Sequence, residues 1–156
     1  MGEVYVISDL HLGHLNMALK RGFSSVEEHD QYIIDQWNKV VKKRDTVYIL
    51  GDITMEKTAS YHLLDKLLGI KKVALGNHDK PQHVPELLKY VSSVFGSFKY
   101  KGCILTHIPI HECEIDRFRY CIHGHVHEKS LSDPRYKNVS AEVLEYTPIL
   151  ISELLK

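Results

Sequence analysis

The feature that most restricts the fold of this sequence is a series of short apolar segments that run straight into polar side chains. In "VALGNHDK" (73–80), an apolar run and a glycine are followed at once by an amide, an imidazole and a carboxylate. The segments "VYVIS" (4–8), "TVYIL" (46–50) and "KKVAL" (71–75) have the length and the β-branched content of buried strands. We therefore expect a chain that gathers polar groups where its strands end.

Two helical segments separate these strands. "SSVEEHDQYIIDQWNKVV" (24–41) opens with a Ser-x-x-Glu capping signature and then places its apolar residues at helical spacing. "TASYHLLDKLLG" (58–69) is predicted to be a second helix, closed by Gly69, because glycine easily adopts the left-handed conformation of a helix end. Strands that alternate with helices favour a parallel sheet and hence an α/β fold.

The second half of the sequence contains more strands and fewer helices. "SFKYKGCILTH" (97–107) is predicted to form two strands joined at Lys101-Gly102, and "RYCIHGH" (119–125) a further strand. "NVSAEVLEY" (138–146) supplies one more strand, and "ISELLK" (151–156) a terminal helical turn. This pattern predicts a second, mixed sheet that packs on the first.

Size, charge and cysteine content restrict the class of protein. A length of 156 residues suits one domain with a substantial core, so we expect a single domain over 1–156. Twenty basic residues balance twenty acidic ones, which indicates no overall attraction to nucleic acid or to a membrane. No apolar run approaches the ~18 residues of a membrane span. The three cysteines form no Cys-x-x-Cys pair, which favours the reducing cytoplasm over a disulfide framework.

Histidine is frequent, with eleven residues, and several of them follow the predicted strands. Taken singly, these positions are ambiguous, because Asp52 could close a turn and His107 could be an ordinary packed histidine. Together they are more informative, since the ligands of α/β sheets bind beyond the carboxyl ends of the strands. Seven strand-end residues are candidate metal ligands: Asp9, His11, Asp52, Asn77, His107, His125 and His127.

This set of donors narrows the choice of metal and chemistry. Carboxylate, amide and imidazole donors without a thiolate suit Mn, Fe, Zn, Co or Ni better than calcium or a structural zinc. Seven donors are too many for one ordinary site and indicate two ions that share a carboxylate. A pair of ions about 3.5–4 Å apart is the arrangement that in-line displacement at phosphorus uses.

The order Asp-x-His, Gly-Asp, Gly-Asn-His-Asp, His, Gly-His-x-His resembles the calcineurin-like metallophosphoesterase superfamily, and it extends from Asp9 to His127. "ISDLHLGHLNM" (7–17) and "GNHDK" (76–80) look like the small, single-domain phosphoesterases of bacteria and phages. The resemblance implies an α/β fold, a four-layer α/β/β/α sandwich of two mixed sheets flanked by helices, without a cap domain. It also implies a dinuclear centre in which Mn²⁺ is a common ion.

The same resemblance implies a role for each strand-end residue. Asp9, His11 and His127 would hold the first ion, Asn77, His107 and His125 the second, and Asp52 would bridge the two. A metal-bridging hydroxide would attack phosphorus, while Asn77 and His78 offset the charge that develops on the phosphoryl oxygens. His78 would also protonate the leaving oxygen. The predicted catalytic residues are therefore Asp52, Asn77 and His78.

The roles of other polar residues near these motifs are less defined. His14 and Asn16 would either touch substrate at the rim of the site or cap the loop after the first strand. Asp79 would either orient His78 or close the turn. His123 is expected just outside the ligands, and three further histidines are expected at the surface: His29, His62 and His83.

Hydrolysis of a phosphodiester, such as a nucleotide, is the predicted function, and two alternatives stay open. Phosphoprotein phosphatases supply arginines for a phosphate monoester from a Gly-Asp-x-x-Asp-Arg-Gly block, whereas this chain has "GDITMEK" (51–57). A nuclease acting on DNA or RNA would need a basic track, which Lys20, Arg21 and 42–44 could form only by clustering at the site. A non-catalytic scaffold would keep the fold without turnover.

Overall fold

The first sheet contains four parallel strands and one antiparallel strand. The computed structural model describes residues 1–156. The strands are β1 (Val4–Ile7), β2 (Thr46–Ile49), β3 (Ile70–Ala74), β4 (Ser93–Phe95) and β9 (Ile149–Leu150). They lie in the order β4-β3-β2-β1-β9, and β9 alone runs antiparallel to its neighbour. Because β1, β2 and β3 are adjacent and run the same way, their carboxyl ends lie side by side at one edge of the sheet.

Two helices connect β1 to β2 and pack on this sheet. They are α1 (Leu15–Lys20) and α2 (Val26–Val40). The Ser25 hydroxyl accepts a hydrogen bond from the Glu28 N–H at 3.1 Å, which confirms the predicted capping signature at the start of α2. Trp37 of α2 is completely buried in the larger hydrophobic core, so replacing it with alanine should cost about 3–5 kcal/mol of stability.

The second sheet is mixed and has four strands. They are β5 (Phe98–Tyr100), β6 (Cys103–Thr106), β7 (Cys121–His123) and β8 (Tyr136–Asn138), in that order across the sheet. Only the β5–β6 pair is antiparallel. Its turn residues Lys101 and Gly102 both have positive φ, 48° and 78°, as a two-residue hairpin turn requires. The hairpin predicted at these two residues is confirmed.

A second apolar cluster fills the space between the two sheets. Val6 and Leu50 from the first sheet pack there against Leu105 and Ile122 from the second. The outer face of the second sheet is covered by a 3-10 turn, Glu112–Arg117. The architecture is therefore two mixed sheets flanked by helical segments, which confirms the predicted α/β fold.

The predicted helix at 58–69 is shorter and tighter than expected. A 3-10 turn, Tyr61–Lys66, occupies this position. Its buried residues Tyr61 and Leu64 are three apart, a spacing that a 3-10 helix places on one face. The segment was correctly predicted to be helical, but the helix is of the 3-10 type and ends at Lys66, before Gly69.

The predicted strand at 138–146 also differs, because β8 ends at Asn138 and beyond it Ser140 forms only an isolated bridge, with Ser8. The Asn138 side chain accepts a hydrogen bond from the Ser140 N–H at 2.9 Å, so a side chain replaces the sheet ladder there. Two consecutive left-handed residues, Glu145 and Tyr146, then turn the chain toward β9. Most of this segment is consequently a series of turns.

The remaining helices are short. α3 (Val84–Leu87) precedes β4, and α4 (Ile151–Leu154) is the terminal helical turn that the sequence predicts. None of the helices combines the length and the apolar character that crossing a bilayer would require.

Candidate metal centre

All seven candidate ligands follow the end of a strand. Asp9 and His11 follow β1, Asp52 follows β2, Asn77 follows β3, His107 follows β6, and His125 and His127 follow β7. The structure brings the loops of both sheets together at this edge. Residues that are nearly 120 positions apart in the sequence are therefore brought to one site.

Two glycines allow the ligand loops to approach each other. A Cβ atom at Gly124 would lie 2.0 Å from Ser8 Oγ and 2.2 Å from Asp9 Oδ2. A Cβ atom at Gly76 would lie 2.3 Å from Asp52 Oδ1. No side chain fits at such separations, so the glycines of the Gly-Asn-His-Asp and Gly-His-x-His motifs are required by packing.

The backbone of the candidate ligands is unusual. Nine non-glycine residues of the chain have positive φ, and five of them are candidate ligands. Those five are Asp9 (60°), His11 (49°), Asp52 (53°), His125 (69°) and His127 (52°). The left-handed conformation costs an L-residue roughly 1–2 kcal/mol. Strain of this kind collects at functional sites, where the surrounding structure enforces it.

Asp9, His11 and His127 form the first group of donors. The Nε2 atoms of His11 and His127 each lie 3.7 Å from Asp9 Oδ1, and the two imidazole rings stack with centroids 5.3 Å apart. Asp9 Oδ1 and both ring nitrogens of His11 are buried without a hydrogen-bond partner. Buried polar atoms are normally paired, so the unpaired Asp9 Oδ1 and His11 Nε2, which face each other, fit a cation between them.

Asn77, His107 and His125 form the second group. Asn77 Oδ1 lies 2.9 Å from His107 Nε2 and 3.1 Å from His125 Nδ1. His107 Nδ1 faces the Leu50 carbonyl oxygen at 2.7 Å and must donate to it, so Nε2 carries the lone pair of a neutral ring. The oxygen and the nitrogen lone pair then point at each other, an arrangement that a divalent ion would satisfy.

Asp52 lies between the two groups. Its Oδ2 is 3.8 Å from His11 Nε2 and 3.3 Å from His107 Nε2, while its Oδ1 accepts a hydrogen bond from the His78 N–H at 2.9 Å. One carboxylate oxygen therefore faces both sets of donors. Oxygen and nitrogen donors arranged in this way fit two divalent cations that share a carboxylate.

The titration of these groups reflects their mutual charges. Burial alone would raise the pKa of Asp9, but the adjacent His11 ring, the charge of His107 and the Ser8 hydroxyl hold that pKa well below its usual range. Burial lowers the pKa of His11. Burial would also lower the pKa of His107, yet the carboxylates of Asp52 and Asp9 raise it. A bound cation would take the place of the proton that His107 otherwise attracts.

Glu142 is a functional candidate that sequence analysis missed. Its Oε1 accepts a hydrogen bond from His127 Nδ1 at 2.8 Å, which leaves His127 Nε2 to face Asp9. Arg21 donates to the same oxygen from Nε at 2.9 Å and from Nη2 at 2.7 Å. A carboxylate in this position fixes the tautomer and orientation of a metal-binding histidine. No motif marks Glu142, which lies in a segment predicted to be a strand.

Arg21 and His29 form a buried network behind the first group. Arg21 donates to the carbonyl oxygens of Asp9 at 2.6 Å and Leu10 at 3.0 Å. His29 Nε2 lies 2.9 Å from Arg21 Nη1, and His29 Nδ1 lies 2.8 Å from Asp30 Oδ1. His29 is completely buried, so the prediction that it lies at the surface was wrong. Its burial is possible because Arg21 and Asp30 satisfy both ring nitrogens.

His78 lies beside the candidate centre with a partly exposed ring. The centroid of this ring is 6.1 Å from that of His11. Its Nδ1 is 3.3 Å from Glu56 Oε1, an oxygen that Lys80 Nζ also approaches at 3.1 Å. Glu56 is therefore the carboxylate that adjoins His78, and sequence analysis did not single it out.

Asp79 closes the turn after β3 and does not contact the His78 ring. Its Oδ2 accepts hydrogen bonds at 2.7 Å from the N–H groups of both Asp52 and Gly76, and its Oδ1 accepts one from Ile53 at 3.1 Å. Burial raises the pKa of Asp79 to about 6 against the effect of these three donors. Of the two roles considered for this residue, its contacts favour the structural one, because they hold the Asp52 loop against the Asn77 loop.

The remaining candidates lie around the edge of the site. The His14 ring is 6.4 Å from the His11 ring, at the start of α1, whereas Asn16 is exposed on that helix. Contact of either residue with substrate stays a prediction. His123 is buried next to the Gly124 loop, and its Nδ1 hydrogen-bonds the Gly124 carbonyl oxygen at 2.9 Å.

Two relatives resemble this chain over nearly its full length. An uncharacterized protein of Methanocaldococcus jannaschii is 33% identical over 168 aligned positions, which cover 100% of this chain and 91% of that protein. The gene 66 protein of Mycobacterium phage D29 is 30% identical over 178 positions, which cover 91% of this chain and 89% of that protein. Both are small proteins, as the resemblance to phage-type phosphoesterases implied.

Solved structures and a family match agree with this. A protein of unknown function from Aquifex aeolicus superposes with a TM-score of 0.74 at 27% identity, covering 99% of this chain and 98% of that one. An archaeal phosphodiesterase shares the fold with a TM-score of 0.54 at 15% identity, covering 88% of this chain and 82% of that one. The calcineurin-like phosphoesterase family matches residues 2–153. The chain therefore belongs to the calcineurin-like phosphoesterase family.

Proposed function

We propose that this protein is a phosphodiesterase that works at a centre of two divalent ions, with Mn²⁺ as the expected ion. The observation that carries the proposal is the position of Asp52, one oxygen of which lies 3.8 Å from His11 Nε2 and 3.3 Å from His107 Nε2. Ions bound there would supply positive charge and lower the pKa of water, so that hydrolysis can proceed near neutral pH. The expected ligands are Asp9, His11 and His127 for one ion and Asn77, His107 and His125 for the other, with Asp52 shared.

His78 is the proposed general acid. The hydrogen bond from its backbone N–H to Asp52 Oδ1, at 2.9 Å, holds the residue at the centre while leaving its ring free. With Nδ1 directed toward Glu56 Oε1 at 3.3 Å, Nε2 is free to donate a proton to the departing alkoxide. A positioned acid of this kind contributes typically about 10²–10⁴-fold to the rate.

The arrangement of positive charge supports a diester as substrate. A monoester carries a second negative charge, which a neighbouring arginine could neutralise. Arg21 is the arginine that contacts the ligand loops, but its guanidinium is buried and donates to Glu142 and to the carbonyl oxygens of Asp9 and Leu10. It is therefore not available to a phosphoryl oxygen, and a singly charged diester matches the site better.

Of the basic residues that the nuclease alternative would need, only Lys20 lies beside the candidate ligands, in a groove that His125 and His127 also line. Arg21 is buried, and 42–44 directly precede β2, at the end of the sheet opposite to the ligand loops. The cluster that would hold a nucleic acid backbone beside the centre does not form from these residues. The scaffold alternative is disfavoured because every donor position is filled.

We also propose a cytoplasmic location, which the free thiols of Cys103, Cys113 and Cys121 suit.

Hydrolysis of bis(p-nitrophenyl) phosphate tests the proposal. Protein stripped of metal should be inactive, and Mn²⁺ should restore release of p-nitrophenolate. An Asp52→Asn variant should bind fewer ions and lose most of the activity. If no divalent ion supports turnover of any phosphodiester, the proposal is wrong and the scaffold alternative is favoured.

A further inference from the structure

A cleft of about 550 Å³ opens directly beside the second group of candidate ligands. The ring of His125 forms part of its wall, and apolar side chains form much of the rest: Ile108, Ile110, Val126, Leu131 and Tyr136. Ile108 is 52% exposed and Leu131 is 41% exposed. The volume of the cleft lies within the ~300–1,000 Å³ of typical ligand pockets. We call it the His125 cleft.

The His125 cleft is joined to the candidate centre by the chain itself. Ile108 directly follows the ligand His107, and Val126 separates the ligands His125 and His127. A phosphoryl group held between the two groups of donors would therefore place one of its ester substituents at the mouth of the cleft. A second cleft, of about 450 Å³, lies beside Tyr5 and contains none of the candidate ligands.

The charges around the His125 cleft restrict what it can hold. Glu112 and Asp133 line it, and the Asp133 carboxylate pairs with Arg135 at 2.8 Å, whereas no lysine or arginine is among the lining residues. An anionic substituent would find no lysine or arginine to pair with there. On the other side of the His125 loop, a separate groove is lined by Lys20 and Lys129 together with one acidic residue, Glu128. The two flanks of the centre thus differ in charge, and the apolar flank is the one without cations.

We propose that the His125 cleft binds an uncharged aromatic or apolar ester substituent of the substrate. The substrate class is therefore a phosphodiester with at least one bulky, uncharged substituent, of which nucleosides and aryl groups are examples. This inference rests on the proposed function, because it takes the phosphoryl group to lie at the metal centre. It adds that selectivity among diesters comes from apolar contact beside His125.

The test uses phenylphosphonate and methylphosphonate, which carry a P–C bond that a phosphoesterase does not hydrolyse. Their dissociation constants for the Mn²⁺-loaded protein are measured by calorimetry, a readout that does not depend on turnover. Apolar contacts of this size discriminate by about 10-fold or more, so phenylphosphonate should bind at least tenfold more tightly. Equal affinities would overturn the inference.

Two variants locate the binding site of the phenyl group. Leu131→Asp adds a third carboxylate to the His125 cleft and should reduce the preference for phenylphosphonate to below about threefold, whereas Leu131→Ala should give an intermediate value. Leu88→Asp is the matched control, because Leu88 is similarly exposed, at 47%, and does not line the cleft. A preference that survives Leu131→Asp would place the phenyl group elsewhere and refute the inference.

Activity separates this inference from the proposed function. Turnover of bis(p-nitrophenyl) phosphate without any preference for phenylphosphonate would leave the proposed function intact and overturn the role of the His125 cleft. In the supported case, Leu131→Asp should raise KM for this diester about tenfold with little change in kcat, because the lost contact is made equally in the ground state and the transition state. Loss of kcat at unchanged KM would contradict that assignment.

Discussion

Replacing Glu142 with glutamine should weaken one metal site and spare the other. Glu142 does not face the proposed metal positions; it accepts the Nδ1 hydrogen of His127 at 2.8 Å and pairs with Arg21 at 2.7 Å. Glutamine keeps an oxygen at this position but removes its charge. His127 then loses the anionic partner that fixes its tautomer and increases the basicity of Nε2.

Two magnitudes follow from these contacts. Loss of the carboxylate behind a metal-binding histidine typically costs about 10–100-fold in metal affinity. That range corresponds to about 1.4–2.8 kcal/mol for the ion held by His127. The Arg21 side chain is only 2% exposed, and a buried charge without its partner costs about 3–5 kcal/mol, so Glu142→Gln should also lower the free energy of unfolding.

Calorimetric titration of metal-stripped protein with Mn²⁺ measures the first effect. We expect two dissociation constants in the wild type, of which Glu142→Gln raises one about 10–100-fold and leaves the other within about twofold. Glu145→Gln is the matched control, since it removes a charge three positions away at an exposed site. If both constants are unchanged, or if both rise equally, Glu142 does not act through His127.

Four further predictions concern residues other than Glu142. His78→Ala should keep both ions but lower kcat by about 10²–10⁴-fold, with the larger loss for substrates with poor leaving groups; loss of metal would contradict its role as an acid. Glu56→Gln should lower kcat less than His78→Ala does, and an identical effect in a His78→Ala background would refute the pairing. Asp79→Ala removes the acceptor of three backbone N–H groups and should lower the free energy of unfolding of metal-free protein by about 3 kcal/mol or more, measured in urea. Burial lowers the pKa of Lys71 in the folded protein. Between this lowered pKa and the unfolded-state value of about 10.5, the unfolded chain binds more protons than the folded one, so the free energy of unfolding should rise with pH. Lys71→Met should flatten this rise, as measured by urea unfolding at pH 8–10.

The sequence was sufficient to predict six of the nine strands (β1, β2, β3, β5, β6 and β7) and to place the candidate ligands at strand ends. In contrast, β4 and β9 were not predicted, and β8 overlaps the strand expected at 138–146 only at Asn138. Strand signals are local, and so are the polar residues that follow them, so Asp9, Asp52 and Asn77 could be assigned to strand ends without any tertiary information. Parallel neighbours then bring those ends to the same edge of the sheet. The fold class followed for the same reason, because strands alternating with helical segments leave few alternatives.

The support behind the ligands could not be predicted in the same way. Glu142 and Arg21 are 121 positions apart, and neither lies in a recognisable motif. His29 looks like a surface residue in the sequence, because only the folded structure shows that Arg21 and Asp30 pair with its two ring nitrogens. The failed strand at 138–146 has the same origin, since the side chain of Asn138 replaces a ladder hydrogen bond and sequence propensity does not report it.

The left-handed backbone at five candidate ligands affects any attempt to engineer this protein. At roughly 1–2 kcal/mol per residue, relaxing those positions would recover an amount comparable with the whole folding stability of many domains, about 5–15 kcal/mol. Selection for heat resistance in the absence of metal would therefore enrich glycine at positions 9, 11, 52, 125 and 127. The more stable variants from such a screen would lack the side chains proposed to bind the metal ions.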